Sequence, residues 1–282
     1  MISLWTIASL TLKEAFRRKT YIATLLVAVI FICWSLLRMP FHPGMSSSPD
    51  AMSADQDPQA MADGVGKFFA WLGCGMIKFF SSVMAITLAA GAISTEIDKG
   101  VLSVIVPKPL SRVTIYLGKW LGLLIYLAAS IALWAALLVF VVWHLTGSFH
   151  PRILVGVLAT CLFPLLFTTL TLCFSTFASN ALAAGLSLIA AGISLADDLL
   201  LSLSTMLQND TLKTISSLVG YIVPIGKMNH WITRGLGTSG FDPTTLRNPL
   251  ASAATSADLV YICVYIVAAL GVGIWVFQKR DL

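Results

Sequence analysis

Residues 115–145 read IYLGKWLGLLIYLAASIALWAALLVFVVWHL, an unbroken run in which Lys119 is the one Lys, Arg, Asp or Glu. A helix needs about 20 mostly apolar residues to cross a bilayer core of roughly 30 Å. This stretch exceeds that length, and five further blocks meet or approach it: Tyr21–Leu37, Phe68–Ser94, Ile153–Phe177, Ala181–Leu203 and Leu259–Phe277. The rest of the chain agrees. Only 11% of the 282 residues are charged and 57% are apolar, against roughly 25% charged in a soluble domain. No polar stretch is long enough to hold a second, soluble domain. The expectation is an all-α integral membrane protein, one domain over residues 1–282, with six transmembrane helices.

A formal net charge of +5 would suit nucleic acid if the basic residues formed one soluble face. They sit at helix ends instead, so membrane topology accounts for them and no nucleic-acid partner is expected. Lys13, Arg17, Arg18, Lys19, Lys99, Lys108, Arg112, Lys119, Lys279 and Arg280 fall on one side of a six-span arrangement, ten in all, against Arg38, Lys67 and Arg152 in the short loops opposite. The positive-inside rule then places both termini in the cytoplasm of a multi-pass protein of a bacterial inner membrane. Tyr21, Trp120 and Trp275 mark inner interfaces, and Trp34 and Trp143 outer ones. The five cysteines, Cys33, Cys74, Cys161, Cys173 and Cys263, are scattered singly in apolar blocks, which reads as small buried hydrophobes. The first apolar block follows basic residues and lacks a small-residue cleavage site after it, so it reads as a retained span.

Before that span, Leu4, Ala8, Leu12, Ala15 and Phe16 recur at helical spacing beside Lys13, Glu14, Arg17 and Arg18. Residues 1–20 are therefore expected to form an amphipathic helix on the inner leaflet. Residues 40–64 contain four prolines, four aspartates and no Lys or Arg, an external loop. Lys78 sits inside the second block. Snorkelling to the outer headgroups is the ordinary account, and lining a path for an anionic substrate is the functional one. Pro164 interrupts the fourth block and frees a backbone carbonyl, with Thr168, Thr169 and Thr171 following; packing or a hinge would each explain it. Ala178–Asn180 is a link short enough to make spans four and five antiparallel neighbours. Asp197 and Asp198 close the fifth span at its outer end, solvated there or forming a cation site on a substrate path. Residues 204–257 read as an external loop, in which Ile215–Ile225 is broken by Gly220 and Pro224 and suits a short re-entrant or interfacial helix pair.

The loop between the second and third spans, STEIDKGVLSVIVPKPLSRVTIYLGK over residues 94–119, carries the most information. Thr95 with Asp98 three positions on has the spacing of a capping box, which predicts a break after Ser94 and a fresh short helix from Glu96. Glu96 and Asp98 would then lie in a first turn, where the helix dipole favours carboxylates. Ile97, Val101, Val104 and Ile105 make one apolar stripe, Pro107 and Pro109 end it, and Ser111 caps the next span. Burying three or four such side chains is worth about 1.5–3 kcal/mol each before association costs, enough to dock a partner. On physical grounds alone the stripe fits a partner protein as well as it fits packing on the inner leaflet or on the N-terminal helix.

Glu96-x-x-x-Gly100-x-Leu102, then Lys108-Pro109-Leu110-Ser111-Arg112, then Leu117-Gly118-Lys119 resembles the signature of ABC-2 type transporter permeases, with Val101 where that family usually has Thr. Lys13-Glu14 and Arg17-Arg18-Lys19 resemble the family's opening. Pro224 to Trp231 resembles its Pro-x-x-x-x-Asn stretch, and Phe277 leading into Lys279-Arg280-Asp281 resembles its ending. Within the family, the 94–119 element is most similar to permeases for maturation of copper enzymes. The resemblance implies a type V ABC exporter-like fold and a permease homodimer or heterodimer. It also implies a coupling helix, within a cytoplasmic loop over 95–112, held by a separate ATPase that binds the ATP and magnesium. Carried onto this chain, Glu96, Gly100, Pro109 and Arg112 shape that contact, with Ile97, Val101 and Val104 supplying its apolar face.

No catalytic residue and no metal site is expected in the chain itself. The nearest approach to a P-loop, Gly220 to Met228, has one residue too many between its glycines and Met228 in place of the hydroxyl. HExxH and GxSxG are absent. The four histidines, His42, His144, His150 and His230, all fall on the external side and read as solvated loop residues. The competing reading is a stand-alone secondary transporter, for which paired intramembrane acids and helices broken in both halves would be the marks.

Overall fold

A computed structural model describes residues 2–17, 30, 58–98, 111–147, 149–207, 211, 214, 220, 223–237 and 255–279. All regular structure among them is α-helix. The helices are α1 (Ile2–Arg17), α2 (Pro58–Asp98), α3 (Arg112–Thr146), α4 (Arg152–Thr160), α5 (Leu162–Ser175), α6 (Asn180–Leu207), α7 (Ile225–Leu236) and α8 (Ser256–Lys279).

Four stretches are long and apolar enough to cross a membrane: Gly66–Ile97, Arg112–His144, Arg152–Ser175 and Ser256–Lys279. They match the second, third, fourth and sixth expected spans. The first expected span, Tyr21–Leu37, lies outside the described residues apart from Ile30. The fifth, Ala181–Leu203, lies within α6, whose 28 residues reach about 42 Å at 1.5 Å per residue; its Asn180–Ile193 portion is apolar. Asp197 and Asp198 do not end that helix, as expected of them, because α6 runs on to Leu207.

Local chemistry sets several boundaries. Ser111 takes extended backbone angles and its hydroxyl accepts the Thr114 amide at 3.2 Å, the N-cap anticipated for this span. At the far end Gly147 adopts φ 68° and donates to the Trp143 carbonyl. Such a left-handed C-cap is cheap only for residues without a Cβ. The fourth span is divided at Cys161, three residues before Pro164. Pro164 has no N–H to return to Thr160, so the break leaves it in the first turn of α5, where that N–H is not needed. The Cys161 amide is shared between the Val157 and Leu158 carbonyls, tightening the junction.

The core lies between α2, α3 and α5. Met84, Ala85, Ala89 and Ile93 of α2 face Phe163, Leu166 and Leu172 of α5, with Tyr116 and Tyr126 of α3 fully enclosed. Alanines four apart on α2 let the backbones come close, as membrane helices need when lipid offers no hydrophobic drive between them. α5 and α6 are joined by a four-residue link and share a Thr171–Ser187 hydroxyl bond of 2.8 Å, confirming them as antiparallel neighbours.

α1 has the expected amphipathic pattern, but its buried stripe is covered by α3 and not by an open leaflet. A Cβ at Gly118 would stand 2.8 Å from the Ile7 side chain, and one at Gly122 would stand 2.6 Å from the Ala8 carbonyl oxygen. One turn higher, Phe16 meets Tyr126 edge to face at 5.0 Å. α1 therefore climbs alongside α3, seated on two glycines one helical turn apart. Trp5 and Leu10 remain exposed on its other sides.

Candidate functional site

The segment singled out by its sequence follows Asp98, the end of α2, and precedes Ser111, the N-cap of α3. Residues 99–110, with Gly100, Val101, Val104 and Pro109, lie outside the described residues. Glu96, Ile97 and Arg112, the other predicted coupling residues, are placed at its two roots.

α2 is continuous through this region to Asp98, which corrects the expected break after Ser94. The physical reason is a partner that the local sequence does not reveal. The Glu96 carboxylate, which would be disfavoured by the negative end of the helix dipole, meets the Lys119 ammonium of α3 at 2.6 Å. Lys119 also donates to the Ala92 carbonyl at 2.5 Å, and its side chain is 8% exposed. A cation buried this deeply must be paired and hydrogen-bonded to be tolerated; here one ammonium neutralises Glu96 and satisfies a carbonyl four residues before it. Ile97 is half-buried and packs against the core.

The same end carries three more ties. The Ser175 hydroxyl, at the end of α5, donates to the Ala90 carbonyl at 2.8 Å and accepts the Ser94 amide at 3.0 Å, joining α5 to α2. Trp120 of α3 donates to the Thr169 hydroxyl of α5 at 3.0 Å. Arg112 donates to the carbonyls of Phe277 and Gln278, at 3.4 and 3.1 Å, in the last turn of α8. A guanidinium there satisfies carbonyls that have no partner within the helix and complements the dipole. Thus the Glu, Arg and Lys of the motif are spent on fastening α2, α3 and α8 together at one end of the bundle.

Towards the opposite end, Lys78 does not snorkel outward. Its ammonium donates to the Asn229 side chain of α7 at 3.0 Å and stands 5.3 Å from the ring of Phe163. Asn229 is the Asn of the Pro224-x-x-x-x-Asn stretch, so the second motif also proves to be one half of a contact. α7 follows Pro224 and packs along α4, where Gly235 and Gly156 approach so closely that a Cβ on Gly235 would lie 3.1 Å from the Gly156 amide nitrogen. Lys227 of α7 pairs with Asp258 of α8 at 3.7 Å and lies 4.2 Å from the Tyr261 ring. The side chains of Asp197 and Asp198 lie outside the described residues.

A bundle of apolar helices long enough to cross a bilayer, fastened by buried charge pairs and hydroxyls, defines a multi-pass membrane protein. A family model described as ABC-2 family transporter protein matches residues 5–282, and the chain belongs to that family. No curated protein matches it.

Proposed function

We propose that this chain is the permease subunit of an ATP-binding-cassette exporter in a bacterial inner membrane, with both termini in the cytoplasm. It would act as a homodimer or heterodimer with a separate cytoplasmic ATPase, which binds the ATP and magnesium. The loop over 95–112 is the contact with that ATPase, Ile97, Val101 and Val104 giving the apolar face and Glu96, Gly100, Pro109 and Arg112 its shape. The observation that carries this reading is the fastening at the roots of the loop. Glu96 is bound to Lys119 of α3 and Arg112 to the end of α8, so a push on the loop is delivered to three helices as one body. ATP-driven closure of two ATPase subunits would then rock the two permease halves against each other. Lys78, Asp197 and Asp198 are the residues proposed to line the substrate path.

Two variants test the reading. Val101→Asp places a charge on the apolar face and is expected to abolish co-purification with the ATPase while leaving membrane insertion intact. Retained co-purification would refute the docking role. Lys119→Met is expected to keep the ATPase bound but lower the cargo moved per ATP hydrolysed in vesicles; an unchanged ratio would show that the fastening does not transmit force.

A further inference from the structure

At the end of the bundle away from Arg112, the start of α2, the turn before α4 and the end of α7 enclose a cleft of about 260 Å³. We propose that it is a binding site for the phosphate of an anionic phospholipid. Lys67, His150 and Arg152 all line it, and no carboxylate does among the described residues. Lys67 is half-buried, and neither Lys67 nor Arg152 has a hydrogen bond or ion pair with another described residue. Two cations lining one partly enclosed space, with no acid among the described residues there, repel each other, and an anion relieves that repulsion. α4 begins at the cleft and α7 ends at it, so the positive end of one dipole and the negative end of the other offset each other there, and the two side-chain cations set the field.

The position of Arg152 is built. Its guanidinium lies against Gly237, the left-handed C-cap of α7 at φ 65°, and a Cβ at 237 would stand 2.5 Å from Nη1. The lipid assignment comes from what adjoins the cleft. Phe149 is exposed at its mouth, and Leu154, Val155 and Leu158 are exposed along α4 directly beyond it. α4 is the first part of a membrane-span candidate, so acyl chains lying on those side chains bring a headgroup phosphate level with Lys67 and Arg152.

The test uses the full-length chain in neutral detergent, with bound lipid counted by native mass spectrometry. Phosphatidylglycerol is compared with phosphatidylcholine, and inorganic phosphate is the third arm. Each basic residue near an anionic lipid is worth about a fivefold preference, so the wild type is expected to favour phosphatidylglycerol by roughly thirtyfold for the two. Lys67→Gln with Arg152→Gln is expected to bring the preference near parity, and Lys67→Arg with Arg152→Lys to preserve it. If the double glutamine variant does not fold, each single glutamine variant is expected to lose about fivefold. A wild type without preference, or a glutamine variant that keeps it, would overturn the proposal. So would displacement of the lipid preference by millimolar inorganic phosphate, which would mark the cleft as a site for soluble anions.

Discussion

Lys119 is a cation enclosed among apolar helices, and its two partners come from one turn of α2. Replacing Glu96 by Gln leaves that ammonium with neutral carbonyl acceptors and no counter-charge. Breaking a buried pair on one side typically costs about 3–5 kcal/mol; because the Glu96 side chain is 28% exposed, the lower end applies. The expected result is a fall of about 5–10 °C in melting temperature for Glu96→Gln, largely recovered when Glu96→Met is combined with Lys119→Met. If the double variant is as unstable as the single one, the cost does not come from an uncompensated charge on Lys119. The same reasoning covers Lys78. Asn229→Leu removes a hydrogen bond to a charged group, worth about 1.5–3 kcal/mol, and Lys78→Met in that background is expected to restore the thermal stability. Neither pairing is legible from sequence. Lys78 and Asn229 are 151 residues apart, and the spacing of Thr95 and Asp98 gives a purely local reason to break α2, which a tertiary ion pair overrides.

Elements were more legible than their partners. Length and hydropathy locate the spans because the bilayer sets a fixed minimum, and Ser111 and Pro164 mark a cap and a break because a hydroxyl at N-cap and a missing N–H act within one turn. Periodicity shows that α1 has an apolar stripe, but leaflet, partner and neighbouring helix all satisfy the same periodicity. Gly118 and Gly122 decide the matter, since their missing side chains are filled by Ile7 and Ala8. Gly122→Leu is therefore expected to lift α1 from α3. In a background without native cysteines, Phe16→Cys and Tyr126→Cys should be joined by a short thiol crosslinker when Gly122 is present and fail to be joined in the Gly122→Leu variant. Efficient crosslinking in that variant would show that α1 is held elsewhere. The sequence of α7 shows an apolar stripe, Ile225, Met228, Ile232 and Leu236, but not that it lies on α4, where Leu236 fills the space beside Gly156 and Gly235 meets the Gly156 backbone.

The whole molecule holds α8 in a different manner from its other spans. Its most apolar stretch is 17% buried, against 50–67% for the other three span candidates, so much of its surface is bare of protein from this chain. Its tips are secured: Asp258 to Lys227 at one, the Phe277 and Gln278 carbonyls to Arg112 at the other. A rod pinned at both tips and loosely clad along its length keeps the two faces of the bundle at a constant separation. Piston-like sliding of α8 would have to release one tip, whereas leaning sideways releases neither. Changes of shape in this protein are thus expected to favour tilting, about the seat where Gly273 of the last helix lies against the Tyr116 ring.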